Sequence, residues 1–203
     1  MRIAVHGASG RLGRLIMAEA GDSAVPIPRG GPVPDCDVVI DVTSPSGLAA
    51  LLPRLSGQPL VIGTTGDLPE EALASYGQRA AVAIVPNFSV GVLLLTDLVR
   101  RAAAALPPGW DIEIVEAHHN QKQDAPSGTA KRLARAVAEA TGSTPPSHSL
   151  RVGDTFGEHT VWLCGPGERL ELKHVATRRE VFAIGALRWA AAVLSAPPGV
   201  RHP

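Results

Sequence analysis

A short apolar run, Arg2-Ile3-Ala4-Val5-His6, opens directly into Gly7-Ala8-Ser9-Gly10-Arg11-Leu12-Gly13, and an apolar-periodic segment from Leu15 to Ala20 follows. A strand, a glycine turn and a helix in immediate succession narrow the fold sharply. Gly7 permits a tight turn, Gly10 lets the backbone approach a pyrophosphate, and Gly13 lets the helix pack close to its sheet. The spacing is Gly-x-x-Gly-x-x-Gly rather than Gly-x-Gly-x-x-Gly, and glycine turns after strands also occur without a ligand. The junction predicts a parallel-sheet α/β domain and points to a dinucleotide.

The chain as far as Ser89 continues in that pattern. Ala24 to Pro28 reads as a second strand and Val38 to Val42 as a third, an uninterrupted apolar run with one Asp that suits a strand buried on both faces. Thr43-Ser44-Pro45 caps a helix from Ser46 to Leu55. Leu60 to Ile62 is a strand ending in Gly63-Thr64-Thr65-Gly66, before a helix headed by Pro69, Glu70 and Glu71, and Ala81 to Val85 is a strand ending in Pro86-Asn87-Phe88-Ser89. In open parallel sheets ligands bind at the carboxyl ends of strands, which is where both polar tips fall. After the second strand, where an acid would bind the ribose of NAD, stands Arg29, and no acid follows before Asp35. An arginine there favours the extra phosphate of NADP, although a lone Arg in a Pro/Gly turn is as often merely solvated.

Past Ser89-Val90-Gly91 the alternation changes. A long helix from Val92 to Leu106 leads to a strand from Trp110 to Val115, and a helical run from Lys131 to Thr141 follows. Then come Leu150-Arg151-Val152, Glu158 to Cys164 and Arg169 to Val175, strands without crossovers, which indicate an antiparallel or mixed sheet and a second domain. Arg179 to Ser195 is a final helix that returns to the first domain. The expected division is a Rossmann-like dinucleotide-binding domain over 1–89, joined by 179–203, and an α+β substrate and oligomerisation domain with a mixed sheet over 90–178.

Between strand and helix in that second domain lies Glu116-Ala117-His118-His119-Asn120-Gln121-Lys122-Gln123-Asp124-Ala125-Pro126-Ser127-Gly128-Thr129-Ala130. Ser127 is a natural N-cap, and the backbone N–H groups of Gly128, Thr129 and Ala130 would leave the helix start open to a carboxylate or phosphate. Gly128 allows close approach. An anion held there has His118, His119 and Lys122 within reach, a set suited to proton transfer to a small acid. The bland alternative is a polar strand end followed by a capped turn. His159, on a short strand, reads as a satisfied structural histidine rather than a third acid–base group.

Composition removes several classes. With 19 basic and 19 acidic residues, no basic run and 3% aromatics, there is no electrostatic footprint for nucleic acid. No span suits a membrane helix, and Met1 leads straight into a strand without a signal-peptide pattern, so a cytoplasmic protein is expected. Cys36 and Cys164 stand in no metal or redox spacing and read as reduced, unpaired thiols.

The stretch from Glu116 to Ala130 closely resembles the signature of the bacterial dihydrodipicolinate reductases, Glu-x-His-His-x-x-Lys-x-Asp-x-Pro-Ser-Gly-Thr-Ala, with every fixed position present. The glycine loop with Arg11, the Gly-Thr-Thr-Gly and Asn-Phe-Ser-x-Gly tips, Gly153 to Thr160, Gly167 to Glu171 and Arg179 to Ala186 extend the likeness nearly end to end. The resemblance implies reduction of 4-hydroxy-tetrahydrodipicolinate to tetrahydrodipicolinate in lysine and diaminopimelate biosynthesis. It implies NADPH or NADH as coenzyme, held by Gly7, Ala8, Ser9, Gly10, Arg11, Leu12, Gly63, Thr64, Thr65, Val85, Pro86, Asn87 and Phe88; Arg29, by its position after the second strand, is added to these as the reader of the extra phosphate. It further implies His118 as acid–base group, Lys122 as proton donor, and His119, Gly128 and Thr129 as holders of a small dicarboxylate. A homotetramer built through the second sheets is expected on the same ground. Two segments depart from the pattern: the stretch up to Asp37 and the Ser-Thr-Pro-Pro-Ser link between Gly142 and Arg151 are both short. A nicotinamide dehydrogenase for another small acid, and a nucleotide sensor using the first domain alone, are the competing readings.

Overall fold

The computed structural model describes residues 1–202. In chain order the elements are β1 (Ile3–His6), α1 (Arg11–Ala20), β2 (Ala24–Pro26), β3 (Val38–Asp41), α2 (Pro45–Leu51), β4 (Leu60–Ile62), α3 (Glu70–Gly77), β5 (Ala81–Ile84) and α4 (Val90–Ala105). There follow β6 (Asp111–His118), α5 (Gly128–Thr141), β7 (Ser147–Arg151), β8 (Glu158–Gly165), β9 (Glu168–Val175), α6 (Glu180–Leu194) and β10 (Gly199–Arg201). Two compact units result: Met1–Ser89 with the chain from Glu180 onward, and Val90–Arg179.

The first unit is a six-stranded parallel sheet in the order β10-β5-β4-β3-β1-β2. Successive strand residues divide between its two faces. Ile3, Val5, Val38, Ile40, Val61 and Ala83 pack with α1 and α6, while Ala4, Val39, Leu60, Ile62 and Val82 pack with α2 and α3. Both faces being covered, the strands read as continuous apolar runs, and each fully buried Val, Leu or Ile contributes about 1.5–3 kcal/mol of transfer free energy. Small residues, Ala183, Ala186 and Ala190, line the inner side of α6, and a Cβ on Gly185 would collide with the carbonyl of Phe88. The edge strand β10 has no counterpart among the strands expected from sequence. Its one strand-like residue, Val200, sits among Pro197, Pro198 and Gly199, and only the neighbouring edge of β5 makes it a strand.

The second unit is a mixed sheet in the order β7-β6-β8-β9, with β6 parallel to β7 and antiparallel to β8. Helices α4 and α5 cover one face around Leu95, Val99, Ile114, Leu133, Val137, Val161 and Leu163. Because β6 and β7 are parallel, α5 is their crossover, and the loop before it lies at the carboxyl end of β6. Strand β6 runs on to His118, past the expected end at Val115, since pairing with both β7 and β8 holds Glu116 and His118 in extended form. Helix α5 starts at Gly128, directly after its Ser127 cap and three residues before the apolar-periodic run at Lys131.

Candidate active site

Alternation along β6 puts Ile112, Ile114, Glu116 and His118 on one face, so the row that begins in the core ends in a carboxylate and an imidazole. The same row continues across the sheet through Ser149 and Arg151 on β7, His159 on β8 and His174 on β9. Glu116 is fully buried. Its Oε1 accepts from Arg151 Nη2 at 2.8 Å and from the Ser127 amide at 3.2 Å, and its Oε2 accepts from Arg151 Nη1 at 3.0 Å. The Oε2 also lies 2.5 Å from His118 Nδ1. Burial alone would raise this carboxyl, but Arg151, Ser149 and His118 outweigh burial and hold it at about 2.

A carboxylate only accepts hydrogen bonds, so the network assigns the proton of neutral His118 to Nδ1 and leaves Nε2 with a free lone pair. Desolvation lowers the proton affinity of this ring, assisted by Lys122 and Arg151 and opposed by Glu116, so it is neutral at physiological pH. A Cβ on Gly157 would lie 3.1 Å from that Nε2. Glycine there, at φ +147°, keeps the space beside Nε2 clear.

Lys122 Nζ pairs with Asp124 at 2.7 Å, and the Asp124 carbonyl accepts from Arg151 Nη2 at 2.6 Å, so the loop is tied back to the sheet. The Ser127 side chain accepts from the Ala130 amide at 3.1 Å, capping α5. A Cβ on Gly128 would meet nothing within 4 Å. The protein's own packing therefore does not require glycine at this position, and the helix start is open to close approach from outside. Thr129 stands half-buried in the first turn and His119 half-buried just past β6. The structure thus gathers His118, His119, Lys122, Gly128 and Thr129 around one strand end and one helix start.

His159 is not the satisfied structural residue that its strand context suggests. It is 3% exposed, its ring lies edge-on to His118 at 5.2 Å, and its Nε2 is 3.2 Å from Ser127 Oγ. Its Nδ1 has no partner among the described residues. Burial, with His118 next, pushes it down to about 3, so it stays uncharged. Sequence reasoning also misses Arg151, which reads only as a strand residue. The register that sets it opposite His118 is a tertiary fact.

In the first unit the anion-binding features stand at the carboxyl ends of the strands. Gly7 has φ +91°, and a Cβ there would lie 2.7 Å from the Val42 carbonyl; a Cβ on Gly13 would strike the backbone of Gly7. Whereas α2 and α5 are capped by Ser44 and Ser127, α1 has Gly10 at its N-cap, no side-chain cap and no acid in its first turn. Gly10, Arg11 and Leu12 thus begin a helix whose first amides have no side-chain acceptor, and Ala8 and Ser9 form the preceding turn, a donor set that fits the phosphates of a dinucleotide. Arg29 is exposed in the turn closed by the Gly31 amide on the Pro28 carbonyl.

The other tips contribute less side chain than their sequence suggests. Thr64 is buried, its hydroxyl donating to Asp41 Oδ2 at 2.5 Å while accepting from the Thr43 amide at 2.8 Å. Asp41, fully buried, also accepts from the Thr43 hydroxyl and lies 2.7 Å from His6 Nδ1, so one carboxylate joins the ends of β1, β3 and β4. Val85 and Phe88 lie in the core, the Phe88 ring filling the space above Gly63. Backbone and exposed groups at Gly63, Thr65, Pro86 and Asn87 remain to face a ligand.

Two family models match the chain, described as "Dihydrodipicolinate reductase, N-terminus" over residues 31–88 and "Dihydrodipicolinate reductase, C-terminus" over residues 91–202. A 4-hydroxy-tetrahydrodipicolinate reductase of Xanthomonas euvesicatoria pv. vesicatoria is 42% identical over 226 aligned positions, covering 98% of this chain and 94% of the relative. One from Anaeromyxobacter dehalogenans is 42% identical, covering 98% of this chain and 86% of its own length. Among solved structures, a dipicolinate-bound dihydrodipicolinate reductase from Paenisporosarcina sp. TG-14 superposes with a TM-score of 0.78 at 22% identity, over 100% of this chain and 97% of the other.

Proposed function

The chain belongs to the dihydrodipicolinate reductase family, and from that membership we infer how its residues divide the work of the reaction. It is a nicotinamide-dependent oxidoreductase that reduces 4-hydroxy-tetrahydrodipicolinate, by way of dihydrodipicolinate, to tetrahydrodipicolinate in lysine and diaminopimelate biosynthesis. Water leaves the hydroxy substrate, a hydride and a proton add across the ring, and a dicarboxylate is released.

The observation that carries our assignment is the unbonded Nε2 of His118, backed by buried Glu116, beside the open start of α5. The amides at Gly128 and Thr129 hold a substrate carboxylate at the helix start, where the N-terminal partial charge favours an anion. His119 completes the grip. His118 exchanges a proton through Nε2, and Lys122, released from Asp124 as the substrate carboxylate arrives, donates the proton and offsets negative charge developing on the ring. When bound, the nicotinamide coenzyme supplies the hydride. The loop Gly7 to Leu12 binds its phosphates, and the tips at Gly63, Thr64, Thr65, Val85, Pro86, Asn87 and Phe88 border its remainder, Val85 and Phe88 through backbone alone. Arg29 favours NADPH over NADH while both serve. The protein works in the cytoplasm as a homotetramer. Oxidation of reduced coenzyme that depends on freshly condensed aspartate semialdehyde and pyruvate tests the activity; coenzyme oxidation with other small keto or imino acids but not with this product would refute it.

A further inference from the structure

We propose that Glu116 is a positioning residue for the acid–base step: anchored by Arg151, its carboxylate holds His118 in the Nδ1–H tautomer and, through the Ser127 amide, ties that imidazole to the start of α5. This rests on the reading of His118 as the group that exchanges the proton. Directed contacts converge on one buried carboxylate, among them two from the Arg151 fork, one from the Ser127 amide and one from His118. The two oxygens share the work, since Oε2 meets the imidazole while Oε1 meets the amide of the helix cap. The ring and the anion-holding amides are therefore registered to each other through one side chain whose own rotamer is locked by a bidentate guanidinium. A buried ion pair adds little stability over an apolar pair of similar size, so the arrangement is better explained by the orientation it imposes than by the energy it contributes.

The charged and titratable groups around the ring decide what loss of the carboxylate would do. On β6 it faces Glu116, on β7 Arg151, on β8 His159 with His174 beyond it on β9, and on the loop Lys122 with its partner Asp124; α5 presents only the Ser127 hydroxyl and amides. Of these, Glu116 raises the proton affinity of His118, whereas burial, Lys122 and Arg151 lower it. Neutralising Glu116 must therefore move the titration of His118 to lower pH. Because the same nitrogen is involved whether the ring gives or takes the proton, the corresponding limb of the kcat/KM profile moves the same way.

The test follows the His118 ring signal by NMR against pH and, in parallel, the pH profile of kcat/KM in the full-length protein. Glu116→Gln should lower the His118 midpoint by about one pH unit or more, the scale of a contacting opposite charge. It should also shift the kcat/KM limb downward and reduce kcat at least about tenfold, less than loss of the imidazole itself. Glu116→Asp, which keeps the charge, should restore most of the midpoint. The double variant Glu116→Gln/Arg151→Met leaves no unpaired guanidinium and should show the same downward shift, smaller in size, and it decides the matter where the single variant does not fold. A His118 midpoint and kinetic limb unmoved in the folded variants would overturn the proposal. If His118→Gln itself retains near-normal turnover, the acid–base reading fails; if His118→Gln abolishes turnover while Glu116→Gln changes neither rate nor profile, the positioning role alone fails.

Discussion

At the scale of single residues, the second unit concentrates its chemistry in groups whose charge is set by a few neighbours. Lys122→Met and His118→Gln should each lower turnover by about 10²-fold or more, the usual loss for a general acid–base group. Affinity for reduced coenzyme, read by fluorescence titration, should be nearly unchanged, because the glycine loop belongs to the other unit. Near-normal turnover in both variants would remove the assignment. Arg29, exposed beyond β2, should contribute about 1–2 kcal/mol through a charged contact with the extra phosphate of NADPH, roughly tenfold in affinity. Arg29→Ala should then erase most of that preference and leave NADH affinity unchanged; equal weakening of both coenzymes would make Arg29 an ordinary surface residue. The buried row also predicts an acid limb of stability. His159 is held down to about 3 from a usual 6.5, so its stabilising contribution is complete above 6.5 and is lost as pH falls toward 3. His118 and His174, both shifted down, act in the same direction, and Glu116, held at about 2, adds a second loss below about 4.5. Each such group changes stability by up to about 1.4 kcal/mol per pH unit within its window. Urea midpoints should fall on acidification from about pH 6.5, and His159→Gln should flatten that slope; a midpoint independent of pH down to about 5 would contradict a histidine origin for the acid limb.

At the scale of elements, the two ligand-facing regions are built alike, each where a strand ends and a helix begins. In the first unit the strand ends are held together by Asp41, which gathers His6, Thr43 and Thr64. Asp41→Ala would leave His6, Thr43 and buried Thr64 without their shared acceptor, and we expect a cost of roughly 3 kcal/mol, seen as a lower denaturation midpoint. Weaker coenzyme binding should accompany it, since Thr64 and the loop before α2 would lose their anchor. A variant as stable as the parent would mean that water replaces the carboxylate freely. The same elements explain which boundaries are readable from sequence. Strand β6 extends beyond its expected end because its polar tip, Glu116 to His118, has no apolar alternation to announce it, and its extended form is imposed by β7 and β8 on either side. Helix α5, by contrast, carries its own cap in Ser127 and its own stop in Gly142, at φ +77°.

At the scale of the whole molecule, the mixed sheet presents to its other side Val115, Ala117, Leu150, Trp162 and Val175, with α4 and α5 both on the opposite face. Leu150 and Val175 are 50% and 43% exposed, and the homotetramer we propose would cover this face. Light scattering coupled to size exclusion should give a mass near four chains, and Leu150→Lys with Trp162→Glu should shift it toward smaller species. A monomeric parent protein would refute assembly through this face. The class of each unit and the kind of chemistry it carries are legible in the linear chain. The period of the apolar residues, the glycines that mark the turn after β1 and the order of polar types from Glu116 to Ala130 are all local properties, present before any long-range contact forms. Pairing, by contrast, belongs to the folded state alone: the strand β10 at the sheet edge, Arg151 set across from His118, and His159 brought to Ser127 across 32 residues. Those contacts depend on strand register and on desolvation, and both come into being only when distant segments exclude water together.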